Sequence, residues 1–100
     1  MEERVIACSL ADVELARRSD LVRRDLFAGA LVRAELAAGY AFRFPGDGDW
    51  DARIQEFVGI ERRCCSFFQF EIVFEAGMGS IWLRLTGPEG TKQFIEQAFE

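Results

Sequence analysis

Phe70-Glu71-Ile72-Val73-Phe74-Glu75, the glycines Gly77 and Gly79, and Ile81-Trp82-Leu83-Arg84-Leu85 decide the fold class. Phe70, Ile72 and Phe74 alternate with Glu71, Val73 and Glu75, and Ile81, Leu83 and Leu85 alternate with Trp82 and Arg84. Period two with glycines between predicts a hairpin with one apolar face. Upstream, Leu31–Phe44 predicts a second hairpin: Val32, Ala34 and Leu36 share one side, Gly39 supplies the turn, and Tyr40, Phe42 and Phe44 alternate with Ala41 and Arg43. Pro45-Gly46-Asp47-Gly48 breaks the chain between this hairpin and the next element.

Helical periodicity fills the gaps. From about Asp49 to Ser66, Trp50, Ile54, Phe57, Val58, Glu61, Cys65 and Phe68 fall on one stripe. A weaker helix spans Ala11 to about Leu26, with Val13, Leu21 and Val22 as its buried positions. A short strand, Val5–Cys8, precedes it, and Ser9 with Asp12 forms an abbreviated capping box. Thr86-Gly87-Pro88-Glu89 reads as a capping box for a last helix that buries Phe94, Ile95 and Ala98. The expected fold is one α+β domain over 1–100, in the order β-α-β-β-α-β-β-α. Its antiparallel sheet of two hairpins and a short N-terminal strand is covered by two or three helices.

Composition bounds the function. Half of the 100 residues are hydrophobic, enough for a core without disulfide staples. A net charge of −5 and the lack of a basic patch with interleaved aromatics argue against direct binding of nucleic acid. Arg17-Arg18 and Arg23-Arg24, interspersed with Asp20 and Asp25, read as a solvated helix face. No signal peptide or membrane-spanning run is visible, so the expectation is a cytoplasmic protein with reduced cysteines. The absence of histidine removes Ser-His and Cys-His nucleophile pairs and His-ligated metal from this chain.

Chemistry concentrates in Glu61-Arg62-Arg63-Cys64-Cys65. A carboxylate at mid-stripe must be paired or protonated if buried, and Arg43 or Arg84 is the expected counterion. Cys64 and Cys65 lie about 100° apart around the helix, and a strained vicinal disulfide is not expected there. If Cys8, at the end of the first strand, meets them, three sulfurs converge on one acid. Such a site would select Cu(I), Hg(II) or trivalent arsenic over hard cations. Inert core thiols are the plainer alternative. Trp82 and Val73, on the outward side of the second hairpin, are candidates for a partner surface.

Glu61-Arg62-Arg63-Cys64-Cys65-Ser66-Phe67-Phe68-Gln69-Phe70 and Trp82-Leu83-Arg84-Leu85-Thr86-Gly87-Pro88-Glu89-Gly90, with Ala7-Cys8-Ser9-Leu10 and Gly39-Tyr40, carry a resemblance. The chain resembles a family of small uncharacterised bacterial proteins with an E-R-x-C-C-x-F-x-x-F motif and an L-x-L-T-G-P-E-G ending. These are similar to stretches encoded near, or fused to, regulators of the mercury-resistance type. The motif residues fall on Cys8, Glu61, Arg62, Cys64 and Cys65; Ser66 stands where the family often has a helix-stopping proline. The resemblance implies heavy-metal handling and a metal-responsive regulator as partner. Three functional readings follow. The first is a thiol-based binder or sensor of a soft ion such as Hg(II) or Cu(I), with Cys8, Cys64 and Cys65 as ligands and Glu61 and Arg62 behind them. The second is a homodimeric interaction module with structural cysteines. The third is a thiol redox or lyase-like enzyme with Cys65 as nucleophile and Glu61 as proton donor.

Overall fold

A computed structural model describes residues 13–99. The expected Val5–Cys8 strand and its Ser9 cap lie outside the described residues. Within them the order is α1 (Val13–Ala28), β1 (Val32–Leu36), β2 (Gly39–Phe44), α2 (Trp50–Cys64), β3 (Gln69–Phe74), β4 (Ile81–Thr86) and α3 (Thr91–Ala98). This is the α+β arrangement that the alternation predicts. The two hairpins join through β2 and β4 into one antiparallel sheet of order β1-β2-β4-β3.

Register explains the core. Tyr40, Phe42 and Phe44 lie opposite Leu85, Leu83 and Ile81, and these in turn lie opposite Phe70, Ile72 and Phe74. The two central strands bury all six of their residues in this set. Helices cover that face, with Leu26, Ile54, Phe57 and Ile95 fully buried against it. Phe27 stands at the junction, edge-on to Phe42 and Phe57 at 4.7 and 5.1 Å and stacked on Phe99 at 5.0 Å. Tyr40 donates its hydroxyl hydrogen to Glu96 at 2.5 Å, holding α3 over β2. Phe94 and Ala98 pack beside Ile95 as their periodicity predicts.

Four local expectations need correction. The hairpin turn falls at Ala37-Ala38, and Gly39 is the first residue of β2. A Cβ there would lie 1.8 Å from the Leu85 carbonyl oxygen, so close approach to β4, not a turn, requires the glycine. Thr86 does not cap α3, because pairing with Gly39 and Gln69 holds it in β4. The helix instead begins after Gly90, whose φ of 99° suits glycine. In α1, Val13 and Leu21 are exposed, while Ser19 and Leu26 are buried and Val22 packs against the core. The inward stripe is Ser19, Val22, Arg23, Leu26 and Phe27, the i, i+3, i+4, i+7, i+8 pattern. Finally, α2 stops at Cys64; Cys65, at φ −122°, caps it by donating its N–H to the Glu61 carbonyl at 2.6 Å.

Candidate functional site

Helices α1 and α2 pack side by side, and the inward stripes of both carry polar groups. Glu61 is fully buried on α2. From α1, Arg23 donates Nε to Glu61 Oε2 at 3.0 Å and Nη2 to Oε1 at 2.6 Å, a two-pronged pair. Ser19, one turn earlier, donates its hydroxyl hydrogen to Oε2 at 2.7 Å. Both carboxylate oxygens are therefore engaged, which makes burial of the charge tolerable.

The expected counterions, Arg43 and Arg84, do not serve. Both project from the opposite face of the sheet, since they alternate with core residues of β2 and β4. Arg62 is exposed and takes no part in these contacts. Arg23 fills the role that the sequence suggested for a strand arginine. The signal was present in the spacing of Ser19, Arg23 and Leu26, but the Arg-Arg doublets and neighbouring aspartates pointed to a solvated face.

The sulfurs sit at the same spot. Arg23 Nη2 lies 3.7 Å from Cys65 Sγ and 4.0 Å from Cys64 Sγ, and the two Sγ atoms are 3.4 Å apart. Neither cysteine is more than 1% exposed. Cys64 is disulfide-bonded, whereas Cys65 is a free thiol, so the bond is not the vicinal one. Cys8, the third anticipated ligand, lies outside the described residues. Among the described residues, no group of three or more His, Cys, Asp or Glu side chains could hold a metal ion. The acid and two sulfurs do gather, but under cover. A cleft of about 350 Å³ between α1 and the end of α3 is lined by Arg23, Arg24, Asp20, Phe27 and Phe99, among others, and among the described residues Arg23 links it to the sulfurs.

Burial pushes the Cys65 thiol up to about 12 from its ordinary 9.0; the Glu61 charge adds to this, and Arg23 opposes it. A nucleophilic cysteine needs the reverse shift and a proton acceptor with a free lone pair. Cys65 is fully buried and both oxygens of the adjacent Glu61 are already engaged, an arrangement that does not activate a thiol. Below pH 9 the thiolate fraction is therefore far smaller than that of an ordinary thiol. Iodoacetamide at neutral pH should leave Cys65 unmodified in the folded protein and label it at once in denaturant. Labelling of the native chain at the rate of an unhindered thiol would contradict the geometry. The sign for stability follows: the unfolded thiol ionises first, so this contribution is complete below about pH 9 and is lost as pH rises toward about 12.

No helix among the described residues is long and apolar enough to cross a membrane. Compared with protein-family models, curated proteins and solved structures, the chain matches none.

Proposed function

We propose that the protein is a thiol-based binder of a soft metalloid, controlled by the redox state of Cys64. The observation that carries this reading is the 3.4 Å separation of the Cys64 and Cys65 sulfurs. With metal–thiolate bonds of about 2.3 Å, a linear two-thiolate ion needs sulfurs about 4.6 Å apart and a tetrahedral one about 3.8 Å. The shorter span suits the narrow angle of a pyramidal trivalent centre. Trivalent arsenic therefore fits better than Hg(II) or Cu(I), the ions first suggested by the soft ligand set.

Electrostatics supports the same choice. A soft cation would enter beside the Arg23 guanidinium, whereas trivalent arsenic arrives as a neutral hydroxide. Each sulfur replaces one oxygen ligand of arsenic, and the thiol proton leaves with that oxygen as water. No oxidation state changes, and no thiolate need form in advance. The disulfide on Cys64 blocks this chemistry until it is reduced. Cys8 is the proposed third ligand. The coupling of uptake to a regulator and the cytoplasmic setting are parts of the same proposal, supported only by the resemblance.

The test is uptake of a monophenyl arsenoxide, read as a mass increase on the intact protein, after reduction with a phosphine that does not compete for arsenic. One arsenical per reduced chain is expected, with none on the oxidised chain. Cys64→Ser and Cys65→Ser should each weaken retention at least tenfold, and Cys8→Ser should leave it unchanged, because the phenyl group occupies the third position of this arsenical. Equal retention by Cys65→Ser and the parent would end the proposal.

A further inference from the structure

On the face of the sheet away from the helices, apolar and charged residues lie side by side. On that face β1 presents Val32, Ala34 and Leu36, because Arg33 and Glu35 lie in register with the core residues Phe42 and Tyr40. A one-sided antiparallel sheet ordinarily turns its polar set outward, and here the edge strand does the opposite. Trp82 and Val73 sit on the same face, and Trp82 is no part of the core cluster. Val32 and Val73 are exposed. The Nε atom of Arg43, which lies between Val32 and Trp82, is buried with no hydrogen-bond partner. Buried donors of this kind are few in folded proteins and call for a partner.

Register sets out three rows across the sheet, in strand order β1, β2, β4, β3. The first row is Val32, Arg43, Trp82, Val73; the second is Ala34, Ala41, Arg84, Glu71; the third is Leu36, Gly39, Thr86, Gln69. In the second and third rows the β1–β2 half is small or aliphatic, and the β4–β3 half is long or polar. A two-fold axis parallel to the strands, passing between β2 and β4, lays each row over its own reverse. Ala34, half-buried in the single chain, then receives the second copy's Glu71, whereas Ala41 and Gly39, which fall opposite its Arg84 and Thr86, are already buried within the chain. Arg43 lies over the second copy's Trp82, a favourable cation–π geometry, with that copy's Glu71 one strand and one row away as acceptor for the unpartnered Nε. Val32 meets Val73. Small meets large at Ala34, the Val32–Val73 and Arg43–Trp82 contacts match in size, and each contact occurs twice, as an isologous interface requires.

We propose that this face is the interface of a homodimer, two sheets packed about 10 Å apart around Trp82 and Arg43. The proposal is independent of the thiol chemistry above. Four strands about 4.8 Å apart and five or six residues long give a flat footprint of about 370 Å² per copy, about 740 Å² in all, below the roughly 1,000 Å² of a stable interface, so the contact is a weak, transient one. The dimer is therefore concentration-dependent. Glu71 supplies specificity as well as charge: Glu71 and Arg84 face each other on β3 and β4, yet no ion pair between them is formed within the chain.

Sedimentation over a concentration series tests this with the full chain. The mass should rise from one copy to two as concentration increases, with Trp82 fluorescence shifting to the blue over the same range. Trp82→Glu should hold the mass at one copy, with a circular dichroism spectrum equal to the parent's. Glu71→Arg, at an exposed site that leaves folding intact, should weaken the dimer about tenfold, and adding Arg43→Glu should restore it. A parent that stays at one copy throughout overturns the proposal. So does a dimer undiminished by Trp82→Glu and Glu71→Arg.

Discussion

Arg23→Ala is expected to destabilise the domain by about 3–5 kcal/mol, the cost of leaving a buried carboxylate without its countercharge. Glu61 is completely inaccessible, and among the described residues Arg23 and Ser19 satisfy its oxygens. Truncating the arginine strands that charge and leaves the two sulfurs without their polar neighbour. Ser19→Ala removes one hydrogen bond to the charge and should cost less, about 1.5–3 kcal/mol. The informative control is the double replacement Arg23→Met/Glu61→Leu. Apolar side chains of similar volume remove both the attraction and the cost of desolvation, so most of the lost stability should return. Urea titration of the four proteins measures the coupling directly. A double variant as unstable as Arg23→Ala would mean that the pair contributes packing and little electrostatics.

Phe57→Ala is expected to cost about 3–5 kcal/mol by opening a cavity where three elements meet. Phe57 is fully buried, edge-on to Phe27 at 5.1 Å and to Phe99 at 5.8 Å, so its loss removes contacts from α1 and from the residue that follows α3. At about 4–8 °C in Tm per kcal/mol for a domain of this size, the change should be plain in a thermal scan. Val13→Ala, at a site 71% exposed, should stay within about 0.5 kcal/mol of the parent. Equal shifts for the two variants would show that the aromatic cluster does not carry the core. Rings at this junction also fix the angle between α1 and α2. That angle sets where Arg23 meets Glu61, so a loss of packing at Phe57 should loosen protection of the Cys65 thiol as well.

The strands were legible wherever one face is buried and the other is not. Alternation in Phe70–Phe74, Ile81–Leu85 and Tyr40–Phe44 maps directly onto the sheet, since period two is a property of the local backbone. Helix α2 was equally legible, within two residues at its C-terminal end. The phase of α1 was harder to read. Its mean composition is polar, and two of its three apolar candidates, Val13 and Leu21, proved exposed. Gly39 was recognised as constrained but for the wrong reason, because the atom it must avoid belongs to a strand more than forty residues away.

Residue order alone determined the α+β class, the two hairpins, the outward placement of Trp82 and Val73, and the concentration of unusual chemistry at Glu61, Cys64 and Cys65. These follow from periodicity, and periodicity is local. Only the tertiary structure decided that Arg23 rather than Arg43 or Arg84 neutralises Glu61, that Cys64 but not Cys65 is drawn into a disulfide, and that the edge strand turns its apolar side away from the helices. Each depends on which surfaces of distant segments face one another. An ion pair spanning 38 residues leaves no periodic trace in the chain, because its energy arises only after the packing of two helices has excluded water.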